Sequence, residues 1–331
     1  MKQRLDYIDI AKGIGILLVV CNHTICPEMV HYTAAVVVPI FFFCSGYTSH
    51  KKDNGIKENV IRHAVRLLKP YLLFSLLLMV YFHDFSKRAI LGICYSRYCL
   101  YPFGTTSDIV HFMTVGNFPM WFLTCMAVSY LLYAVLVYYP RYRYYLLASY
   151  LLLSVLMTYL PVLLPWSIDT AFLMAVIMYG GTMVRDSIPD LYRSRRPHVF
   201  VIICALVYLI LLPLFDGINI SVRQYGYSIW TYLVAAIAGC VVLVYISRLL
   251  EHTLLAKLFQ QIGHHSLTIF SIEIPFVILG KQIGDALFGS LPQQAMLLAT
   301  ATTQVVIAIA GGYLISFLLH KNKFTYNLFF R

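Results

Sequence analysis

The sequence predicts an all-α, polytopic integral membrane protein with about ten transmembrane helices and both termini in the cytoplasm. Of its 331 residues, 60% are hydrophobic and only 12% are charged, which is more apolar surface than a soluble domain of this length can bury. Apolar runs close to or above the length needed to cross a bilayer recur from one end to the other. No linker rich in Pro, Gly or Ser interrupts them, so we expect a single integral membrane domain over residues 1–331.

Each predicted span is an apolar run whose ends are marked by aromatic residues or proline. The runs lie at 8–26, 34–50, 70–85, 118–139, 144–164, 168–184, 198–215, 229–250, 266–280 and 294–319. The first follows a basic start, but no small-residue cleavage site comes after it, so we expect it to remain as the first span. The runs at 34–50, 70–85 and 266–280 are short for a span, which is why the count is about ten.

The distribution of lysine and arginine predicts the orientation. With ten spans, the two termini and every second loop lie on one side of the membrane, and that side holds 19 of the 25 basic residues. The positive-inside rule therefore places both termini in the cytoplasm. Topology and lipid headgroups account for the net charge of +11, so the basic composition indicates a bilayer and no nucleic-acid partner.

Three ionisable residues fall on one face of the first span. Lys12 and His23 are 11 positions apart, which on an α-helix is three turns plus about 20° and a rise of about 16 Å. Asp9 lies within about 40° of the same line. Ionisable groups at membrane depth are functional candidates, because they are costly without a partner or a water-filled cavity. The alternative is that Lys12 snorkels to the headgroups and pairs with Asp9, while His23 is hydrated near the outer surface.

Two further segments carry candidate binding residues. In FFFCSGY, Ser45 and Gly46 form a small step in the second span, where another helix backbone or a slender ligand can approach closely. In RHAVRLLKPY, Arg62 and Arg66 lie one helical turn apart before the third span and can hold a phosphate-bearing ligand on the cytoplasmic side. Plain packing at Gly46 and an ordinary positive-inside anchor at the arginines are the alternatives.

The fourth and ninth spans add polar or aromatic groups. NFPMWFL places Asn117 and Trp121 at the predicted outer boundary, at the depth of His23, although Trp121 also suits the aromatic belt. Glu273 lies about two turns into the ninth span and is expected to need a partner or a cavity. His264 and His265 are adjacent, so we expect them in a loop and not as a metal site.

These segments together resemble the membrane-bound acyltransferase-3 family of sugar O-acyltransferases, in the compact form without an appended hydrolase-like domain. YIDIAKGIGILLVVCNH, FFFCSGY, RHAVRLLKPY, PMWFL and GHHSLTIF stand in the family's order over roughly residues 4–276. The resemblance implies that His23 is the essential histidine, with Lys12 where arginine is common. It also implies that Arg62 and Arg66 form the basic motif. One departure is SLTIFSIE, which has Glu273 where the family commonly has histidine.

The resemblance implies transfer of an acyl group, usually acetyl, from cytoplasmic acetyl-CoA or another acyl-CoA to a glycan or lipid-linked sugar beyond a bacterial cytoplasmic membrane. His23 is suited to act as the general base, because the unperturbed pKa of imidazole is near 6.5 and a sugar hydroxyl ionises far above neutral pH. An acyl-histidine intermediate is a variant of this chemistry. Asn22, Asn117 and Trp121 are candidate oxyanion donors, and no metal is expected.

Two other function classes are compatible with the same sequence. A transporter or translocator of a lipid-linked or polar substrate also carries intramembrane Lys, His and Glu. A receptor or assembly subunit would use the basic loops and aromatic faces as scaffolding only. The sequence does not identify the acceptor sugar. It also leaves the oligomeric state open, because every apolar face already has lipid or another span as a partner.

Overall fold

The computed structural model of the protein describes residues 5–25, 31–49, 55–97, 99–102, 118–187 and 195–330. Apart from short 3-10 turns, one small β-hairpin and the connecting loops, these residues form α-helices. The helices are α1 (Asp6–Asn22), α2 (Ala34–Val37), α3 (Pro39–Thr48), α4 (Gly55–Tyr81), α5 (Lys87–Tyr95), α6 (Trp121–Tyr138), α7 (Arg143–Thr158), α8 (Ile168–Ser187), α9 (Arg195–Leu211), α10 (Ile229–Leu250), α11 (Leu254–His264), α12 (Ser266–Phe288), α13 (Gln293–Lys321) and α14 (Lys323–Phe330). The hairpin pairs β1 (Ile218–Asn219) with β2 (Gln224–Tyr225). The prediction of an all-α protein is therefore confirmed.

Seven segments in the described part of the chain are long and apolar enough to cross a bilayer. They are His31–Thr48, Gly55–Tyr81, Trp121–Tyr138, Pro165–Ser187, Ile229–Leu250, Ser266–Phe288 and Gln293–Lys321. The other three predicted spans correspond to shorter helices, since α1 and α9 have 17 residues each and α7 has 16. The chain is thus an integral membrane protein, while the count of ten and the sides of the termini stay predictions.

Several predicted boundaries are wrong, and proline explains two of them. The third predicted span begins at Gly55 and not at residue 70, because the helix runs through Pro70, which removes only one backbone donor. The second predicted span is broken at Val38, where Pro39 starts a new helix. At the other two boundaries, the run 144–164 stops being helical after Thr158, and the run 266–280 continues to Phe288.

Close backbone contacts at glycines hold the helices together. A Cβ on Gly13 would lie 2.0 Å from the carbonyl oxygen of Phe259, so α1 and α11 touch through their backbones. A Cβ on Gly46 would lie 1.7 Å from the carbonyl oxygen of Met178, which brings α3 against α8 in the same way. Small residues at such crossings are typical of membrane helices. Of the two roles predicted for Gly46, helix packing or close approach of a ligand, the contact with α8 agrees with helix packing.

The first helix lies in the middle of the bundle. α1 contacts α3, α10, α11, α12 and α13, and α12 packs along α13 over much of its length. Ten of the 17 residues of α1 are buried. Asp9 is among the buried residues and Lys12 is partly buried, so other helices supply the neighbours of these two side chains, whereas Asp6 and Asn22 are exposed.

A buried charge cluster fixes the loops near the His23 end of α1. The guanidinium of Arg97 contacts Oδ1 of Asp169, and Nε of Arg223 lies 3.3 Å from Oδ2 of the same carboxylate. Arg97 also donates to the carbonyl oxygens of Leu164 at 3.0 Å and Ser221 at 2.5 Å. These contacts join the segments before α6, before α8 and around the β-hairpin into one unit.

The two cysteines beside that cluster are not bridged. Cys94 and Cys99 both carry free thiols. Burial raises the pKa of the Cys99 thiol to about 11, so this group stays protonated at neutral pH. The loop is therefore held by the arginine contacts.

Candidate functional site

His23 and Glu273 meet at the end of α1. His23 is the C-terminal cap of that helix, and its Nδ1 lies 3.0 Å from Oε1 of Glu273 in the middle of α12. The His23 side chain is 16% exposed, whereas Glu273 is completely buried. A buried carboxylate needs a compensating partner, and His23 supplies one. The carboxylate expected to need a partner thus lies beside the histidine proposed as the base.

A cavity of about 400 Å³ opens at this end of α1, and we call it the His23 cavity. Its lining includes His23, Asn22, Trp121 and the hairpin residues Asn219 and Ser221. The carbonyl of Ser221 is the group that Arg97 binds, so the charge cluster supports this wall. Of the predicted oxyanion donors, Asn22 and Trp121 line the cavity, while Asn117 lies outside the described residues.

Gln304 of α13 fixes the chain just after His23. Its Oε1 accepts a hydrogen bond from the backbone N–H of Ile25 at 3.1 Å, and its Nε2 donates to the carbonyl oxygen of Val277 at 3.3 Å. Val277 lies one turn beyond Glu273 on α12. The amide therefore links the exit of α1 to the helix that carries Glu273, and it helps set the distance between the two side chains.

A second cavity, of about 380 Å³, lies around the first half of α1, and we call it the Lys12 cavity. Its lining includes Asp9, Lys12, Ser45 and Arg66. Arg62 is not among the lining residues, because its guanidinium turns to Glu58, with Nη2 and Oε1 2.5 Å apart on the surface of α4. The structure thus brings together most of the predicted donor-binding residues but leaves Arg62 outside the cavity.

Sequence reasoning did not assign His63, Tyr130 or His264 to the Lys12 cavity, although all three line it. His264 was expected in a loop, but it is the last residue of α11, and its Nε2 lies 3.4 Å from Oδ2 of Asp9. His63 stacks on Tyr130, with ring centroids 3.7 Å apart and planes 20° apart. The signal for His63 was its spacing, because it stands three positions before Arg66 and shares its helical face.

The two cavities differ in charge. The Lys12 cavity holds Lys12 and Arg66 against one carboxylate, Asp9, and adds the imidazoles of His63 and His264. The polar lining of the His23 cavity consists of neutral amide, hydroxyl and indole groups around His23. The first cavity suits an anionic ligand, and the second suits a neutral hydroxyl-bearing one. Among the residues described, no group of three or more His, Cys, Asp or Glu side chains is arranged to hold a metal ion.

Comparison with known families gives one match. A family model described as an acyltransferase domain, of the acyltransferase-3 type, matches residues 5–321, which is nearly the whole chain. The matched region includes both cavities and all the described helices that form them. No curated protein matches the chain.

Proposed function

Because the chain belongs to the acyltransferase-3 family, we propose that it moves an acyl group from cytoplasmic acyl-CoA to a sugar hydroxyl across a bacterial cytoplasmic membrane. The acyl group is most simply acetyl, and the acceptor is an extracytoplasmic glycan or a lipid-linked sugar. The observation that carries the proposal is the placement of two cavities along α1, one cationic at Lys12 and one at the His23–Glu273 pair.

The charge of the Lys12 cavity supports its assignment to the donor. The nucleotide end of CoA carries several phosphate charges and stays on the cytoplasmic side, where Lys12 and Arg66 can pair with them. The pantetheine arm is slender and mostly uncharged, so it can extend along α1. The distance from Lys12 to His23 along the helix is about 16 Å, which such an arm can cover.

The His23 cavity supplies the chemistry of the transfer. Oε1 of Glu273 lies 3.0 Å from Nδ1 of His23, so we assign the imidazole proton to Nδ1, facing this carboxylate, which leaves Nε2 to take a proton. The acceptor hydroxyl oxygen attacks the thioester carbonyl carbon while Nε2 removes its proton. The tetrahedral intermediate then expels the CoA thiolate, which takes that proton from the imidazolium. The products are a sugar ester and free CoA thiol.

The oxyanion of the intermediate needs hydrogen-bond donors near the attacked carbonyl. The Asn22 amide and the Trp121 indole N–H line the same cavity as His23 and are the donors we assign to it. Removal of one donor of this kind costs about 100-fold to 1,000-fold in kcat. Asn22→Ala and Trp121→Phe variants measure the two contributions separately.

The purified protein in detergent, given acetyl-CoA and glycan acceptors, tests the proposal directly. We expect CoA thiol release that depends on the acceptor, together with an acceptor mass increase of one acetyl group. His23→Ala should abolish both signals at normal protein abundance. A transporter or translocator would leave thiol release at background. For a receptor or assembly subunit, His23→Ala would leave glycan acylation in cells unchanged.

The acceptor can be identified in cells. Mass spectrometry of surface glycans with and without the gene reports the acyl group as a mass shift and the sugar as a fragment. Expression of the His23→Ala variant in the deletion strain is the matched control. Restoration of the mass shift by that variant would contradict the proposal.

A further inference from the structure

The Lys12 cavity and the His23 cavity share two aromatic side chains. Phe122, at the start of α6, and Phe270, in the second turn of α12, line both cavities. Their exposed fractions are only 7% and 6%, respectively. The two rings therefore lie at the boundary between the cavity assigned to the donor and the cavity that contains His23.

The two rings are in contact with each other. Their centroids are 4.9 Å apart and their planes are tilted by 54°. Centroid separations of about 4.5–7 Å are those of touching aromatic pairs, so no chain of atoms fits between them in this arrangement. An acyl-pantetheine arm that follows this shared lining from Lys12 to His23 therefore displaces at least one of the rings.

Phe122 is also packed against two rings of α3. The rings of Phe41 and Phe42 pack edge-on against it, with centroid distances of 5.5 Å and 5.2 Å. These contacts restrain Phe122 from the side of α3. Phe270 meets Phe122 from the side of α12, so both rings border the space in which an acyl group at His23 would lie.

We propose that Phe122 and Phe270 are specificity-determining residues that restrict the transferred group to short acyl chains. This inference rests on the proposed function, because it assigns the donor's path to the boundary between the two cavities. The pantetheine arm lies at the boundary while the thioester is at His23, so the two rings border the acyl group in the His23 cavity. An acetyl group needs little space beside them, whereas each added methylene needs more, and the close packing around Phe122 resists it.

A series of acyl-CoA donors of increasing length tests the proposal. Wild-type protein should use acetyl-CoA well and hexanoyl-CoA poorly, and Phe270→Ala should raise the hexanoyl-to-acetyl rate ratio by about tenfold or more. Phe270→Trp should act in the opposite direction and lower the propionyl-to-acetyl ratio. Phe270→Leu, which keeps much of the apolar volume, should fall between wild type and Phe270→Ala and guards against misfolding.

Phe276→Ala is the matched control. Phe276 is on the same helix, but it lines a separate apolar cavity with Phe74 and Ile315, so its removal should leave the chain-length ratio unchanged. Three results would overturn the proposal. These are equal use of hexanoyl-CoA and acetyl-CoA by the wild type, an unchanged ratio in Phe270→Ala, and an equal change in Phe276→Ala.

A second measurement separates the aromatic boundary from the proposed function. The double variant Phe122→Ala/Phe270→Ala should join the two cavities, so proteoliposomes that contain it should leak protons faster than those with wild type or Phe276→Ala. If the wild type releases thiol from no acyl-CoA, the proposed function fails and this leak alone decides whether the rings separate the cavities. An unchanged leak overturns the boundary whatever the activity.

Discussion

Replacement of Glu273 with glutamine removes the negative charge beside His23 and keeps the size of the side chain. Glu273 is fully buried and its Oε1 lies 3.0 Å from Nδ1 of His23, so the variant changes one polar contact inside a packed region. We expect kcat to fall by two to four orders of magnitude, in agreement with the general-base role (about 100-fold to 10,000-fold). The KM for acyl-CoA should stay within about twofold, because the Lys12 cavity is untouched.

The size of this effect follows from the contact distance. Two unit charges 3.0 Å apart interact by about 5.5 kcal/mol at an effective dielectric constant of about 20. If about half of the positive charge has developed on His23 in the transition state, the loss is about 2.8 kcal/mol, or about 100-fold in rate. A glutamine amide can also donate to Nδ1 and hold the wrong tautomer, an effect worth about 10,000-fold in a serine protease.

Steady-state rates of CoA thiol release over a range of acyl-CoA concentrations measure kcat and KM separately. Asp285→Asn is the matched control, since Asp285 is on the same helix and makes an exposed ion pair with Lys281 at 2.6 Å. It should change neither value. A folded Glu273→Gln variant with kcat within threefold of wild type would refute the role of Glu273 as a positioning residue.

Three further substitutions test the site and its support. Arg66→Gln should raise the KM for acyl-CoA by about tenfold or more, because hydrogen bonds to charged groups are worth about 1.5–3 kcal/mol. Arg62→Gln is the control and should change this KM less than twofold. Equal effects of the two substitutions would contradict the assignment of Arg66 to the cavity. Asp169→Asn leaves two buried guanidinium groups without their carboxylate and should lower the stability of the folded protein by about 3–5 kcal/mol. The variant should therefore lose activity faster than wild type on heating. An unchanged half-life of activity at the raised temperature would contradict this. Gly46→Leu should prevent α3 from approaching α8 and reduce the amount of folded protein in the membrane, while a normal yield would show that the two helices can separate.

Features set by local chain geometry could be predicted from the sequence. The apolar runs locate the helices because each span must be long and apolar, and the tenth helix of the structure, α10, begins and ends at the predicted residues. Helical spacing likewise places Asp9 and Lys12 together in one cavity. The third predicted span was misplaced because Pro70 stands inside a helix, which proline alone does not forbid in a membrane protein.

The contacts between distant helices could not be predicted, because spacing within one helix does not say which other helix lies beside it. Glu273 was expected to need a partner or a cavity, but nothing in its own segment identified His23 as that partner. The same limit hid the contact between His264 and Asp9. Arg62 differs from Arg66 in standing four residues after Glu58 on the same helix, so this ion pair, unlike the contacts above, was predictable from spacing.

The charge cluster at Asp169 constrains how the molecule is made. Ser221, whose carbonyl Arg97 binds, is synthesised 124 residues after that arginine, and Arg223 follows it. Arg97 follows α5, Arg223 belongs to the β-hairpin region and Asp169 lies at the start of α8, so the cluster cannot close until the chain has been synthesised beyond Arg223. The wall of the His23 cavity consequently cannot form until about two thirds of the chain has been synthesised.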